Sequence, residues 1–314
     1  MRLTIKFINY WSGVELSVKG MRNAVPGLVG MFDDAGCVLR DPVPGDIVDI
    51  AVGSVFGDPR DIVNFPARVH VLHTQECLAH GHFKTVRQLL FDFDLVVGLV
   101  VDSGNMHHIP YEVFKSPLGG IGPVSLEEVA SMAAGVSVAR LRERDCCLVS
   151  TNPHPLRLAL LKALRASEVR VDCPSKVGCN MPNGIKGGRA GKLEFMSNYN
   201  FTICPENIVC PGYLTEKLMD ACLAGTIPVY SGPRSLEDGF FNFERIVWAD
   251  GKNGVSRAVE EVQYLLRDST ALKQRLTLPP FASGALERIA EWRRNAAGLA
   301  GGIAALTLER RKVK

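Results

Sequence analysis

The sequence lacks a long hydrophobic run, a strong excess of one charge, and a Cys-x-x-Cys motif. No uninterrupted apolar stretch is long enough to span a bilayer, and the first residues lack the apolar core and cleavage site of a secretory signal peptide. The 36 basic and 33 acidic residues give a net charge of +3. This balance excludes a broad cationic surface for nucleic acid, so we expect any anion site to be local.

The cysteines and the basic C-terminus both bear on cellular location. The cysteines number nine, include the adjacent Cys146 and Cys147, and favour reduced, mostly buried thiols in the cytoplasm over a disulfide framework or a zinc site. The basic run at 309–314 has two interpretations. It is a solvated chain end, or it is a weak peripheral anchor at an anionic surface such as the inner membrane.

The spacing of apolar runs predicts an α/β protein. The 314 residues suit two domains of about 150 residues each. Runs that are apolar on both faces, at 47–52, 68–73 and 95–101, are typical of buried parallel strands. The strand and helix pattern restarts at Cys146. We therefore predict two doubly wound, Rossmann-like domains facing a central cleft, at 1–145 and 146–314, the second with a helical tail.

Two basic residues stand where helices usually carry acids. Arg157 lies in the first turn of a predicted helix, just after a strand and the Ser150-Thr-Asn152-Pro turn. Lys217 lies in the first turn of a helix that Thr215 is expected to cap. A cation at a helix N-terminus opposes the helix dipole unless an anion is bound there, so the pair predicts a diphosphate site. In the alternative interpretation both side chains bend away into water.

Polar residues surround Lys217 in the sequence. Glu206 and Asn207 end a predicted strand, where side chains of α/β sheets project into the ligand crevice. Tyr213 offers a ring and a hydroxyl, and Glu216 offers a carboxylate to sugar or ribose hydroxyls. Lys192, in a glycine-rich segment at 187–192, either closes over the diphosphate or is a solvated charge. That segment lacks the spacing of a P-loop.

Metal-binding patterns are weak. Asp92-Phe-Asp94 has the Asp-x-Asp pattern of metal-dependent transferases, but Asp94 precedes a buried strand, where a structural role is expected. His70 and His73 fall on opposite faces of a predicted strand and so do not share a metal. We therefore expect no metal cofactor.

Three ordered segments together resemble the donor-binding signature of the α-1,3/1,4-fucosyltransferases. These are Phe-Thr-Ile-Cys-Pro-Glu-Asn at 201–207, Tyr-Leu-Thr-Glu-Lys-Leu at 213–218, and Ala-Gly-Thr-Ile-Pro-Val-Tyr at 224–230. The segment 149–157 is similar to the family's strand, turn and arginine, and 53–57 with Thr-Gln-Glu at 74–76 to landmarks of its acceptor domain. The chain departs from the signature at Pro205 and Ser231, where the family usually has Phe and Trp.

The resemblance implies a GT-B fold and an inverting transfer of fucose from GDP-fucose. The first domain would bind the acceptor and the second the GDP-sugar. Arg157 and Lys217 would neutralise the diphosphate, while Asn207, Tyr213 and Glu216 would line ribose and fucose. Glu76 matches the position of the family's proposed general base. The remaining residues expected at the donor site are Ser150, Asn152, Lys192 and Glu206.

The function expected from these observations is α-1,3/1,4-fucosyl transfer to an N-acetylglucosamine-containing oligosaccharide or glycolipid, as in bacterial lipopolysaccharide synthesis. In inverting transfer a carboxylate takes the proton of the attacking hydroxyl, and fixed cations stabilise the departing diphosphate without a metal. Three alternatives remain. These are a transferase of the same fold that uses another GDP-sugar, a catalytically silent nucleotide-sugar-binding protein, and a metal-dependent transferase.

Overall fold

The structure is a computed structural model that describes residues 1–111, 113, 120–121, 124–135, 141–181, 184–234 and 239–312. The chain divides into two compact units. Unit 1 comprises Met1–Leu126, Cys210–Tyr213 and Glu287–Lys314. Unit 2 comprises Glu127–Val209 and Leu214–Leu286.

Unit 1 is built on a parallel sheet with the strand order β2-β1-β3-β4-β5-β6. Strand β3 is buried along its whole length, as its two-sided apolar run predicts. The strands are β1 (Arg2–Ile8), β2 (Val38–Arg40), β3 (Val48–Ser54), β4 (Ala67–Thr74), β5 (Leu95–Gly98) and β6 (Met106–His108), and a short antiparallel pair follows, β7 (Gly120–Ile121) and β8 (Val124–Ser125). The helices between them are α1 (Val18–Ala24), α2 (Pro26–Asp34), α3 (Arg60–Val63) and α4 (Lys84–Gln88).

Unit 2 is built on a second parallel sheet, with the order β10-β9-β11-β12-β13. Apolar side chains from the strands and the helices beside them form its core, with Phe201, Ile227 and Leu160 fully buried. The strands are β9 (Arg144–Cys147), β10 (Val171–Asp172), β11 (Tyr199–Ile203), β12 (Ile227–Tyr230) and β13 (Val247–Trp248). The helices are α5 (Leu126–Ala133), α6 (Pro155–Ala166), α7 (Gly188–Met196), α8 (Glu216–Leu223), α9 (Gly254–Arg267) and α10 (Ser269–Thr277).

The strand order of each sheet reverses once, which creates a topological switch point. Ligands of doubly wound proteins bind beyond the carboxyl ends of the strands at this point. In unit 1 the order reverses between β1 and β3, and in unit 2 between β9 and β11. The loops that follow these four strands are therefore the places where binding residues are expected.

The C-terminal helix α11 (Ala285–Lys312) belongs mainly to unit 1, so the division differs from the predicted domains 1–145 and 146–314. Arg310 pairs with Asp94 at 2.6 Å, and the Arg311 Nε donates to Asp49 at 2.9 Å. Burial acts to raise the pKa of Asp49, but hydrogen bonds from Arg311 and Thr4 outweigh it and lower that pKa. The two arginines of the basic run are thus structural rather than solvated, while Val313 and Lys314 lie outside the described residues.

The cysteines follow the prediction with one correction. Of the seven free cysteines, Cys179 is exposed and the others are buried. Cys77 and Cys210, however, form a disulfide within unit 1, where the sequence predicted reduced thiols. The two cysteines are 133 residues apart, so no short spacing motif in the sequence indicated this disulfide. Among the helices of the described residues, none is both long and apolar enough to cross a membrane.

Candidate active site

Arg157 ties together the two loops at the switch point of unit 2. It stands in the first turn of α6 and is 3% exposed. Its guanidinium donates to Ser150 Oγ at 3.1 Å and to the Asn152 carbonyl at 3.2 Å, both after β9. It also donates to the Pro205 carbonyl at 3.0 Å and to Asn207 Oδ1 at 2.6 Å, both after β11. The structure thus brings together the predicted group around Arg157 and excludes a side chain that bends into water.

Lys217 forms an ion pair with the buried carboxylate of Glu206, a partner that the sequence did not predict. Its Nζ lies 3.0 Å from Glu206 Oε2, and Glu206 is 1% exposed. Glu206 also accepts from the Thr215 N–H and hydroxyl, each at 2.8 Å. Thr215 is the N-cap of α8, as predicted, but its hydroxyl bonds Glu206 instead of a helix N–H. Lys217 therefore neutralises Glu206 in addition to any ligand.

The charges near the start of α8 act on one another. Burial by itself lowers the Lys217 pKa, but Glu206 and Glu216 raise it above its ordinary value, while Arg157 opposes them. Burial raises the pKa of Glu206. Burial also acts to raise the Glu216 pKa, but Lys217 and Lys192 lower it. Arg157, Lys192 and Lys217 thus act on Glu206 and Glu216 closely enough to form one charged region with them.

A cavity of about 740 Å³ opens beside this region, within the range of about 300–1,000 Å³ typical of small-molecule sites. Residues after β9 and β10 line it, including Val149, Thr151 and Ser175, together with Lys192. Lys192 lies in helix α7 instead of a mobile loop, and its Nζ pairs with the buried Asp220 at 2.7 Å. Lys192 therefore faces both the cavity and an internal carboxylate and is not a solvated charge.

Tyr213 belongs to unit 1, not to the unit that contains the other predicted donor residues. Its hydroxyl donates to Glu76 Oε2 at 3.4 Å, and its ring is 3% exposed. Glu76 follows β4, and its backbone N–H donates to Thr74 Oγ1 at 3.0 Å. The sequence singled out both residues but did not predict their contact, and a disulfide joins the neighbouring Cys77 and Cys210.

Sequence reasoning missed an aromatic pair at the switch point of unit 1. Trp11 follows β1 and Phe56 follows β3, with ring centroids 5.8 Å apart, and Phe56 is 50% exposed. Asn9, at φ 59°, donates to the Asp58 carbonyl at 2.7 Å and so joins the two loops. A Cβ at Gly57 would lie 2.3 Å from the Asn9 side chain, so a larger residue at this position would displace Asn9. The sequence did contain a signal for this pair, because each residue is a large aromatic that comes shortly after one of two adjacent strands.

The two departures from the donor signature lie beside the predicted site. The carbonyl of Pro205 accepts from Arg157, and the carbonyl of Ser231 accepts from the Glu206 N–H at 2.9 Å. Ser231 is 2% exposed. Both positions act through backbone groups, so the departures preserve the bonds that hold Arg157 and Glu206.

The weak metal patterns have structural partners. Asp94 accepts from the His70 N–H at 2.9 Å and pairs with Arg310. His73 lies 3.3 Å from the Tyr10 hydroxyl. In the part of the chain that the structure describes, no three His, Cys, Asp or Glu residues gather as a metal site.

Comparisons with known proteins agree with this geometry. Residues 141–274 match the family model described as glycosyltransferase family 10 (fucosyltransferase), C-terminal. The α-(1,3)-fucosyltransferase FucT of Helicobacter pylori is 25% identical over 288 residues, which are 84% of this chain and 57% of the relative. The α-(1,3)-fucosyltransferase B of Drosophila melanogaster is 44% identical over 46 residues, 15% of this chain and 10% of the relative.

A solved α1,3-fucosyltransferase has the same fold, with a TM-score of 0.65 and 22% identity over 95% of this chain and 90% of that one. A second crystal structure, of an α1,3-fucosyltransferase with GDP-fucose, gives a TM-score of 0.63 and 22% identity, covering 94% and 90%. Two Rossmann-like parallel sheets therefore assign the chain to the GT-B class of glycosyltransferase folds. Within that fold, residues 141–274 are similar to the C-terminal domain of the family 10 fucosyltransferases. The chain spans about 57% of the length of the H. pylori relative.

Proposed function

We propose that the protein transfers L-fucose from GDP-β-L-fucose, with inversion, to a hydroxyl of an N-acetylglucosamine-containing glycan. The observation that carries the proposal is Arg157, a buried cation bound to both loops of the unit 2 switch point. A guanidinium fixed beside a helix N-terminus suits a diphosphate. The family match over residues 141–274 supports a fucosyl donor.

The donor would be held by groups of unit 2 with distinct tasks. Arg157 and Lys217 would stabilise the charge that develops on the departing GDP. Asn207 and Glu216 would bind ribose and fucose hydroxyls, and Lys192 would border the nucleotide cavity. Ser150, Asn152 and Glu206 would position the two cations, since each accepts a hydrogen bond from one of them.

On the acceptor side, Glu76 would take the proton of the attacking hydroxyl as fucose is transferred. This role is implied by the resemblance of residues 74–76 to an acceptor-domain landmark of the family, and Glu76 lies directly beyond the carboxyl end of β4. That the reaction needs no metal remains a prediction. The acceptor, an oligosaccharide or a glycolipid, also remains a prediction.

A donor and acceptor panel tests the proposal. We expect GDP release from GDP-fucose with galactosyl-N-acetylglucosamine acceptors, unchanged by a chelator, and little release from GDP-mannose. Release from another GDP-sugar instead would favour the same-fold alternative, which the departures at Pro205 and Ser231 motivate. Absence of both turnover and calorimetric GDP binding would contradict the donor assignment, and activity abolished by a chelator would favour a metal-dependent transferase.

The aromatic pair at the unit 1 switch point would bind the acceptor sugar. Pyranose rings present an apolar C–H face, and Phe56 and Trp11 offer a surface for it. Replacing Phe56 with alanine is expected to raise the acceptor KM roughly two- to tenfold, since an aromatic contact contributes about 0.5–1.5 kcal/mol. The KM for GDP-fucose should not change, and F56W should retain most acceptor affinity.

The matched control is F91A, because Phe91 is also in unit 1 and is 86% exposed. Steady-state kinetics with each substrate varied in turn gives the comparison. An acceptor KM that rises equally in F56A and F91A would contradict a specific stacking site.

A cytoplasmic location and a role in lipopolysaccharide synthesis remain predictions of the sequence. Peripheral contact with the inner membrane through the basic C-terminus is part of the same prediction. Arg310 and Arg311 pair with Asp94 and Asp49, which argues against such a contact through these two residues.

A further inference from the structure

The segment Cys210–Tyr213 belongs to a different unit from the residues on either side of it in the sequence. Residues up to Val209 and from Leu214 onward belong to unit 2, but these four residues belong to unit 1. Cys210 is joined to Cys77 there by a disulfide. These four residues therefore lie in the same unit as the loop that carries the candidate base, Glu76.

The turn at 210–213 and the loop after β4 are joined at two points, by a disulfide and by a hydrogen bond. Cys77 directly follows Glu76 in the sequence, and Cys210 begins the turn that ends at Tyr213, where the Tyr213 N–H donates to the Cys210 carbonyl at 3.1 Å. The Tyr213 hydroxyl then returns to Glu76 Oε2 at 3.4 Å. Gly212 supplies the positive φ of 80° that so tight a turn requires.

The hydrogen bond is too long to hold the turn in place by itself. O–H···O bonds are typically about 2.7 Å, and longer ones are weaker. Ordering a four-residue turn costs more free energy than one weak bond supplies. A covalent bond at Cys210 would add to the restraint on the Tyr213 hydroxyl, because Tyr213 is only three residues from Cys210.

We propose that Tyr213 and the Cys77–Cys210 disulfide are a positioning device for Glu76, and that reduction of this disulfide lowers the rate of transfer. The inference rests on the proposed role of Glu76 as general base. A dithiol reductant would transfer two electrons and two protons to the disulfide, giving two cysteine thiols and the oxidised dithiol. The freed turn would no longer hold the phenol against the carboxylate.

The first experiment compares oxidised and dithiothreitol-reduced enzyme. We expect reduction to lower kcat on the order of tenfold, because small misplacements of a catalytic group cost this much or more. Calorimetric GDP binding should not change. C210S should behave like reduced enzyme and should not respond to dithiothreitol. Peptide mapping under non-reducing conditions must find the Cys77–Cys210 peptide in the oxidised sample, and its absence would overturn the proposal.

The second experiment uses Tyr213→Phe, which keeps the ring and removes the hydroxyl. A donor to a carboxylate lowers its pKa, so removing the donor raises the Glu76 pKa. Because the base must be ionised, the acid limb of the kcat/KM profile should move to higher pH. A merely structural role would not move that limb. Tyr264→Phe, at a 58% exposed tyrosine, is the matched control.

The outcomes separate this inference from the proposed function. Transfer that proceeds with the same kcat and the same acid limb in both redox states would overturn the inference alone. A protein without any transfer would overturn the proposed function. In that case the pKa of Glu76, measured by NMR on carboxyl-labelled protein, still decides the positioning, because equal values in Y213F and the parent protein would overturn it.

Discussion

Replacing Glu76 with glutamine is expected to lower kcat by about 10²- to 10⁴-fold, the typical contribution of a general base. The amide cannot accept the proton of the attacking hydroxyl. It does retain an oxygen that accepts from the Tyr213 hydroxyl, so the contact observed at 3.4 Å is retained. The loss should therefore be chemical and not a failure to fold. GDP release measures kcat, and calorimetry should give an unchanged Kd for GDP.

The control for Glu76 is Glu287→Gln. Glu287 is an exposed carboxylate in the first turn of α11, also in unit 1, and its replacement should leave kcat unchanged. If E76Q keeps the kcat of the parent enzyme, Glu76 is not the base. If neither protein turns over and both bind GDP, the catalytically silent alternative is favoured instead.

Replacing Lys217 with alanine is expected to destabilise unit 2 by about 3–5 kcal/mol, the typical cost of leaving one partner of a buried ion pair alone. The Glu206 carboxylate is 1% exposed and would lose the ammonium that lies 3.0 Å away. Chemical denaturation followed by circular dichroism measures this loss. K252A, at an exposed lysine of unit 2, is the control and should leave stability unchanged.

The stability loss complicates the donor-binding role of Lys217, and a double variant separates the two. Neutralising both partners in E206Q/K217M removes the uncompensated charge, so most of the stability should return. If Lys217 also binds diphosphate, GDP affinity should stay low in this stable double variant. Normal GDP affinity in E206Q/K217M would show that Lys217 serves the fold alone. Full stability of K217A would contradict the structural pairing.

Much of the fold could be predicted because it depends on local patterns. The two-sided apolar run at 47–52 becomes the buried β3, and the turn at Thr215 begins helix α8. The positions of Arg157 and Lys217 after strands could also be predicted, and these two strands flank the switch point of unit 2. These features are encoded within a few neighbouring residues.

The domain limits and several partners could not be predicted in this way. Helix α11 returns to unit 1 through Arg310 and Asp94, which are 216 residues apart. Its basic end consequently resembled a solvated tail in the sequence. Tyr213 likewise stood among donor residues in the sequence but contacts Glu76, 137 residues away. The residues next to Arg310 and Tyr213 in the sequence do not indicate which distant residue each one contacts.

The sequence by itself determined the parallel α/β class, the strand ends at which we propose that ligands bind, and the resemblance to a fucosyltransferase signature at 201–230, because hydrophobic period and ordered polar residues are local properties. The tertiary structure decided which charges face one another. It gave Lys217 a buried partner in Glu206, bound Arg157 to Asn207 at a separation of 50 residues, and joined Cys77 to Cys210. These pairings depend on how strands are ordered in a sheet, and strand order is set by packing over the whole chain.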